Sequence, residues 1–339
     1  MKKKIFRIVL FTGTIISLFF VPWILVWAWI LPLPNTVQEQ VDEAIGYGFD
    51  GMIVYVDEAG KQPVFYTGGW KDKKNKIPAD HKALFKIASI SKLYVAVAIT
   101  KLAKDNRLSL DKTLADYFPE LVGRIENAEK ITLKMMVQHR SGIPNFTDNP
   151  AYWENEQENG NNALEFALDL QASFKPDKGY EYSNTNYLLL RKIIENVLGY
   201  SHQQYIKEKI LIPLELNNTF FSLNEVDLDD VMSGYYVGYD EDFKANEYGM
   251  LATAKDVGIF LRALNDGSIF DEGERAIYPY VYDHGGLVIG YQSLVEYHED
   301  IDTVVVQFMN TTDFEGYQWN LSEIIINRIV KILKSEKSS

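Results

Sequence analysis

The sequence has 339 residues, of which 47% are hydrophobic and 24% are charged, and this balance is typical of a folded globular protein. A chain of this length can form one large domain or two small ones. The formal net charge of -13 argues against a nucleic-acid partner, because phosphate binding needs clustered Lys and Arg side chains. The chain has no cysteine, which excludes disulfides, a thiol nucleophile and a lipid-modified N-terminal cysteine.

The N-terminal segment, residues 1–35, is predicted to be a membrane anchor that is separate from the rest of the chain. Its start carries four basic side chains, those of Lys2, Lys3, Lys4 and Arg7. The uncharged run that follows, residues 8–33, is long enough to cross a bilayer as one helix. Tryptophans cluster near its far end, as expected at a lipid–water interface, at positions 23, 27 and 29.

The charges around this run predict its orientation. Basic residues favour the cytoplasmic side of a membrane, so the remainder of the chain is expected outside the cytoplasm. The alternative is a cleaved signal peptide, but the run ends in Trp-Ile-Leu-Pro-Leu-Pro rather than in the small residues of a cleavage site.

Residues 36–335 are predicted to form one domain, and residues 336–339 a polar tail. Apolar residues at helical spacing predict a short amphipathic helix over residues 37–44. Two β-branched and aromatic runs, residues 51–56 and 64–67, flank a turn and predict a β-hairpin. A sheet is therefore expected to start near the beginning of the domain.

A long helical region is predicted after this hairpin, up to about residue 264. Its clearest helices cover residues 91–104 and 187–197, and the second of them stops at Gly199. Strand patterns and a final helix follow, at residues 281–292, 293–298, 303–309 and 321–333. This order predicts an α+β fold, in which one antiparallel sheet is built from both chain ends and the helical part is inserted between them.

Three polar segments are predicted to be solvated surface, at residues 153–162, 227–230 and 240–242. The two acidic stretches lack the glycine turn and the glutamate spacing of a calcium loop, so no metal site is expected there. No cofactor is expected elsewhere in the chain.

Ser89-Ile90-Ser91-Lys92 places a serine three residues before a lysine at the start of a predicted helix. Residues at this spacing share one helix face, so the amine can reach the hydroxyl. A serine hydroxyl needs such a neighbour to act as a nucleophile. The same spacing recurs at residues 109–112, in a polar loop, whereas Ser89 lies among apolar residues. The alternative role for Ser89 is that of a helix cap.

Tyr182-Ser183-Asn184 follows a predicted turn and precedes a predicted helix. At such a junction Tyr182 can present its phenol to a cleft, and the side chain of Asn184 can hydrogen-bond a substrate amide. The alternative is a simple helix start, with Ser183 as the cap and Tyr182 packed in the core.

His284-Gly285-Gly286 is the third candidate motif. Its two glycines leave room for a substrate backbone to lie along a strand. The N–H group of Leu287, together with that of Ser89, could then stabilise an oxyanion. The alternative is a glycine bulge beside a surface histidine. A metal role is not expected, because none of the five histidines has a paired-ligand spacing.

In this order, S-x-x-K, Y-x-N and H-G-G resemble the three active-site motifs of the β-lactamase and penicillin-binding-protein superfamily. Longer stretches resemble its class C-like branch, namely LFKIASISKLYVA, ITLKMMVQHRSGIP, YEYSNTNYLLL, GMLATAKDVGIFL and HGGLVIGYQS. The resemblance covers about residues 51–311 and implies a β-lactamase/transpeptidase-like fold. The G-x-S-x-G and H-E-x-x-H motifs of α/β-hydrolases and zinc peptidases are absent from the sequence.

The resemblance implies that Ser89 attacks a carbonyl, while Lys92 and Tyr182 share the proton transfers; which of the two is the principal base stays open. It implies that Asn184 orients the substrate amide and that residues 284–287 line the opposite wall. Two further groups are expected to be scaffold, namely His139, Ser141 and Gly142, and the helix-capping pair Thr253 and Asp256.

One departure from the resemblance concerns His284, which stands where many penicillin-recognising relatives carry a lysine that meets the substrate carboxylate. A histidine is mostly neutral near pH 7, so carboxylate recognition is expected to be weaker.

The leading hypothesis is an extracytoplasmic, membrane-anchored serine hydrolase that forms an acyl-enzyme on a D-amino-acid peptide or related amide, in the manner of a D-alanyl carboxypeptidase. A cell-wall peptide is the natural candidate substrate. The alternatives are an esterase or a class C-like β-lactamase and, in another class, a non-catalytic penicillin-binding or sensing domain. The last is disfavoured because all three motifs keep their reactive side chains.

Overall fold

The computed structural model describes residues 2–154, 160–247 and 249–338. Its strands are β1 (Gly51–Glu58), β2 (Val64–Asp72), β3 (Ile77–Pro78), β4 (Phe85–Lys86), β5 (Thr219–Phe220), β6 (Tyr235–Tyr236), β7 (Leu251–Ala252), β8 (His284–Val288), β9 (Tyr291–His298), β10 (Thr303–Met309) and β11 (Thr311–Thr312). Its α-helices are Lys2–Leu18, Trp23–Ile30, Val37–Gly46, Ser91–Lys104, Leu114–Tyr117, Leu133–Val137, Pro150–Trp153, Asn184–Leu198, His202–Ile206, Ala254–Asp266 and Gln318–Ser338.

The predicted sheet built from both chain ends is confirmed. Six strands lie in the order β3-β2-β1-β10-β9-β8, and each neighbouring pair is antiparallel. Strand β1 pairs with β10, so the first and last parts of the domain meet in the middle of the sheet. Strand β8 lies at one edge, which leaves its outer backbone groups outside the sheet ladder.

Both faces of the sheet are covered, as the alternation along β1 shows. Ile53 and Tyr55 belong to the core that contains the Ala254–Asp266 helix, whereas Met52 and Val54 belong to the core on the other face. The Val37–Gly46 and Gln318–Ser338 helices pack on that other face. A strand buried on both sides reads as a nearly continuous apolar run, as β1 does.

The helical part between β4 and β8 packs around the Ser91–Lys104 helix. This helix is buried from Ser91 to Leu102, and its Tyr94 ring stacks on Phe260 with the ring centroids 3.7 Å apart. The predicted helix over residues 187–197 begins earlier, at Asn184, and ends where Gly199 adopts a left-handed backbone with φ of 77°. The two helices contact each other and carry two of the three motifs.

The prediction of one membrane-crossing helix at the N-terminus is wrong. Among the described residues no single helix is long and apolar enough to span a bilayer, because the chain bends by 78° between Leu10–Leu18 and Trp23–Ile30. Pro22 stands immediately before the second helix, where its missing N–H and its ring prevent one continuous helix. The bent pair together has the length and composition of a signal sequence or of a broken span.

The second helix of this pair is docked on the domain. Ala28 is fully buried, and the helix contacts the Gln318–Ser338 helix. Just beyond it, the Arg328 guanidinium donates hydrogen bonds to the carbonyl oxygens of Leu31, at 2.8 Å, and of Pro32, at 2.9 Å. These contacts therefore fix the position of the segment that connects the N-terminal helices to the domain.

The acidic stretches at residues 227–230 and 240–242 are largely exposed, and no group of side chains suited to a metal ion occurs among the described residues. Residues 155–159 of the predicted 153–162 loop lie outside the described residues. The last helix extends beyond the predicted 321–333 at both ends, into the predicted polar tail.

Candidate active site

Ser89 lies in a single helical turn, Ala88–Ile90, that joins β4 to the Ser91–Lys104 helix. Ala88 has a φ of 47°, a left-handed backbone that residues with a side chain rarely adopt. Strand β8 packs against this turn. A Cβ atom on Gly286 would lie only 2.4 Å from the carbonyl oxygen of Ile87, so glycine is required for this close approach. The third motif thus lies directly beside the first.

The reactive groups of the first two motifs meet at the Ser89 hydroxyl. Lys92 Nζ lies 3.0 Å from Ser89 Oγ and donates a hydrogen bond of 2.9 Å to Asn184 Oδ1. The Tyr182 hydroxyl donates to Ser89 Oγ at 2.7 Å. In contrast, Ser109 of the second S-x-x-K lies in a surface turn with Lys112 exposed. Tertiary packing therefore selects the copy at residues 89–92.

Burial lowers the pKa of Lys92 and raises the pKa of Tyr182. Lys92 is only 4% exposed, and burial, followed by the positive charge of Arg191, holds its pKa well below the usual range. Burial raises the pKa of Tyr182 to about 12. The environment thus favours a neutral amine on Lys92 and a protonated phenol on Tyr182.

A chain of hydrogen bonds fixes the tautomer of His284. The Ser183 N–H group donates to His139 Nδ1 at 3.1 Å, so neutral His139 carries its proton on Nε2, which lies 3.2 Å from the Tyr280 hydroxyl oxygen. The Tyr280 proton is then free to point at His284 Nε2, 2.9 Å away. His284 is left protonated on Nδ1, which donates to the Gly285 carbonyl at 2.6 Å.

Burial keeps both imidazoles neutral, and the hydrogen bonds described above suit their neutral forms. Burial is the main cause that lowers the pKa of His284 to about 4, while the bond to the Gly285 carbonyl acts in the opposite direction. Burial lowers the pKa of His139 to about 3. The His139 ring also stacks on Tyr182, with centroids 4.5 Å apart. His139, predicted to be scaffold, therefore positions the second motif.

The other residues predicted to be scaffold are also placed. Ser141 is buried and donates to Asn186 at 2.7 Å, and Gly142 has a φ of 77° and packs on the backbone of Phe174. The predicted capping pair is confirmed, because the Thr253 side chain accepts a hydrogen bond from the Asp256 N–H.

Ser89 lines one cavity, and its hydrogen-bond partner Tyr182 lines a second one. The first, of about 480 Å³, is lined by Ser89, Lys92, Asn184 and Leu287, with other residues around them. The second, of about 460 Å³, is lined by Tyr182, Tyr180, Tyr280, His284 and Gly285. Leu287, predicted to donate its N–H to an oxyanion, belongs to the edge strand β8, and its side chain is 39% exposed. The first of these cavities therefore gives a substrate access to Ser89.

Sequence reasoning missed two residues of this site. Tyr280 lies four positions before His284 among several tyrosines, and nothing local marks it as the bridging one. Arg191, which lines the first cavity, lies seven residues after Asn184 and so on the same helix face. That spacing, together with a lone arginine in the apolar stretch LLLRKII, is the signal that could have identified it.

The comparison with known families and curated proteins agrees with these motifs. A family model described as Beta-lactamase matches residues 33–279. Protein flp of Staphylococcus aureus (strain MW2) is 30% identical over 195 residues, which are 56% of this chain and 39% of that protein. Penicillin-binding protein 4* of Bacillus subtilis (strain 168) is 28% identical over 175 residues, which are 50% and 38%. The matched part thus spans about two fifths of these relatives.

Among solved structures, D-amino acid amidase from Ochrobactrum anthropi SV3, complexed with L-phenylalanine amide, superposes with a TM-score of 0.76. The superposition covers 89% of this chain and 99% of the amidase, at 23% sequence identity. At this identity the similarity shows the shared fold.

Proposed function

This chain belongs to the Beta-lactamase family and is a serine hydrolase, and we propose that it cleaves amide bonds of D-amino-acid amides or short peptides through an acyl-enzyme on Ser89. The observation that carries the proposal is the convergence of Lys92 Nζ and the Tyr182 hydroxyl on Ser89 Oγ, at 3.0 Å and 2.7 Å. A hydroxyl placed between a neutral amine and a protonated phenol has both a proton acceptor and a proton donor.

In the acylation step Ser89 Oγ attacks the substrate carbonyl carbon and gives its proton to Lys92. The N–H groups of Ser89 and Leu287 receive the oxyanion. When the carbon–nitrogen bond breaks, Tyr182 protonates the leaving amine and regains a proton from Lys92, whose Nζ lies 4.9 Å from the centre of its ring. Water then attacks the ester and gives a proton to Lys92. The carbon–oxygen bond to Ser89 breaks, and Lys92 returns that proton to Ser89 Oγ.

The assignment of Lys92 as base and Tyr182 as acid is supported by the direction of their pKa values. An amine whose pKa is held below its usual range can accept a proton near neutral pH. A phenol with a pKa of about 12 stays protonated and can donate. The reverse assignment would need a deprotonated Tyr182, and burial disfavours that charged form.

The walls of the site support this substrate class. The free edge of β8 can pair with an extended backbone, and Asn184 can bond an amide group of the substrate. His284 is neutral and already uses both ring nitrogens, so it offers no charge to a terminal carboxylate. An amide end is therefore favoured over the free carboxylate that a D-alanyl carboxypeptidase would accept. The amidase with the same fold is complexed with an amino-acid amide.

The proposed location is outside the cytoplasm, with residues 8–33 serving as a bent membrane anchor. The apolar composition of the helix pair and the basic residues before it support this placement. The domain division into residues 1–35, 36–335 and 336–339 remains part of the proposal.

The test uses the full chain in detergent, with intact mass recorded after incubation with a fluorophosphonate and, separately, with a penicillin. A single fluorophosphonate adduct is expected on the wild type and on Ser109→Ala, and none on Ser89→Ala. Lys92→Met should slow labelling by about 100-fold or more, because it removes the base. Hydrolysis of D-phenylalanine amide over its L-enantiomer should follow. A permanent adduct without any amide turnover would favour a non-catalytic binding domain, and labelling that survives Ser89→Ala would end the proposal.

A further inference from the structure

Arg191 has no assigned task in the reaction described above, yet it lines the first cavity together with Ser89 and Lys92. It is partly buried, and no hydrogen bond or ion pair joins it to any of the described residues. A desolvated guanidinium without a directly bonded partner is costly, because burial of a charge is normally compensated by such a partner. Such a group is poised for an anionic ligand.

The acidic residues nearest to this cavity are already engaged. Glu195, one turn further along the same helix, binds His202 Nδ1 at 2.7 Å. Glu247, the acidic residue among the described lining residues, accepts a hydrogen bond of 3.0 Å from the Leu223 N–H. Because Lys92 is held neutral, Arg191 supplies the permanent positive charge of this cavity.

The direction in which a substrate lies decides what Arg191 can meet. Tyr182, which protonates the leaving amine in the proposed reaction, lines the second cavity and not the first. The leaving group therefore lies on the Tyr182 side of Ser89, and the acyl part lies in the first cavity, which Ser89 and Asn184 line. Arg191 is two helical turns from Asn184, about 10 Å along the axis, and its side chain leans back towards the start of the helix.

We propose that Arg191 binds a carboxylate carried by the acyl part of the substrate, for example the side-chain carboxylate of a D-glutamyl or similar acidic acyl unit. This inference rests on the proposed function, since it takes Ser89 as the acylated residue. The planar guanidinium can hold a carboxylate with two parallel hydrogen bonds.

The test compares two fluorophosphonates that differ only at the end of the alkyl chain, one with a carboxylate and the other with a primary amide. In each case Ser89 Oγ forms a bond to phosphorus, fluoride leaves with the P–F electron pair, and Lys92 takes the serine proton. The second-order rate constant for labelling of the full-length protein is measured by intact mass. The measurement is repeated with reagents whose alkyl chains increase in length. At the best length the carboxylate reagent is expected to react at least about tenfold faster with the wild type.

Variants of Arg191 then test whether this residue causes the preference for the carboxylate reagent. Arg191→Gln should bring the ratio of the two rates close to one, whereas Arg191→Lys should retain part of it, because the charge remains and the planar fork is lost. D-glutamyl and D-glutaminyl p-nitroanilides provide the same comparison in turnover. Equal rates of the two reagents on the wild type at every length would overturn the inference even if Arg191→Gln did not fold. A preference that persists in Arg191→Gln would overturn it too.

Two outcomes separate this inference from the proposed function. If both reagents label Ser89 equally, the hydrolase proposal stands and the anion site falls. If Arg191→Gln slows both reagents alike, Arg191 acts through Lys92 rather than on the ligand, which also overturns the anion site. If neither reagent labels the wild type, the proposed function fails and the inference that rests on it fails as well.

Discussion

The hydroxyl of Tyr280 hydrogen-bonds both His139 and His284, and Tyr280→Phe removes that hydroxyl alone. The change breaks the contacts of 3.2 Å to His139 and 2.9 Å to His284. His139 is fully buried, so its Nε2–H group would be left without an acceptor. His284 would lose the donor that favours its neutral form and would become free to change tautomer or take up a proton.

The magnitude follows from these two losses. A buried donor left unsatisfied costs about 1–3 kcal/mol, so the free energy of unfolding should fall by about 2 kcal/mol. A neutral hydrogen bond contributes about 1 kcal/mol, and 1.36 kcal/mol changes a pKa by one unit, so the pKa of His284 should rise from about 4 towards about 5. It should stay below that of a free histidine, because burial is the main cause of the low value and burial remains.

The assay is NMR of isotope-labelled histidine, which is tractable because the chain has five histidines. Nitrogen shifts report the tautomer, and their pH dependence reports each pKa. His284→Gln assigns the signal. Tyr278→Phe is the matched control, since it also removes a tyrosine hydroxyl. That hydroxyl donates to the Val281 carbonyl at 2.9 Å and takes no part in the hydrogen bonds between His139, Tyr280 and His284. Urea unfolding of the same variants gives the free energy.

Stability and pH are linked in a defined direction. A histidine whose pKa is lowered by folding binds fewer protons in the native state, so the free energy of unfolding declines as the pH falls below about 6.5. The decline should continue to about pH 4 for His284 and to about pH 3 for His139. In Tyr280→Phe the part due to His284 should end nearer pH 5. The reasoning is refuted if Tyr280→Phe leaves the His284 tautomer and pKa as they are, or if Tyr278→Phe shifts them equally.

Two further predictions concern close packing and the N-terminal connection. Gly286→Ala should slow labelling of Ser89 at least tenfold and cost about 1–3 kcal/mol of stability, because the new Cβ would lie 2.4 Å from the Ile87 oxygen. The control is Gly46→Ala, whose new Cβ would have no atom within 4 Å, so the labelling rate and the stability should both stay near wild type. Equal effects of the two substitutions would contradict the packing argument. Arg328→Met should speed amide hydrogen exchange around Leu31, because it removes the guanidinium that donates to the Leu31 carbonyl oxygen. Labelling of Ser89 should stay near wild type. Unchanged exchange would show that the guanidinium does not hold the N-terminal segment in place.

Much of the fold was predictable because its signals are local. The nearly continuous burial along β1 follows from its run of apolar and aromatic residues. The helix that begins at Asn184 ends where Gly199 adopts a left-handed backbone conformation. Ser89 and Lys92 could be paired from sequence since three residues on a helix always share a face. Length and composition predict one N-terminal helix, but Pro22 interrupts it, because proline lacks the N–H group and its ring clashes with the preceding turn.

The sequence by itself determined which side chains are available for chemistry: a serine with a lysine one turn away, a tyrosine with an asparagine, and a histidine followed by two glycines. Only the tertiary structure decided how they meet. Tyr280 bridges His284 and His139, which are far apart in the chain, and Arg191 enters the cavity beside Lys92 from another helix. Contacts of this kind depend on how helices pack across the core, and hydrophobic periodicity specifies the buried face of a helix but not the partner it meets.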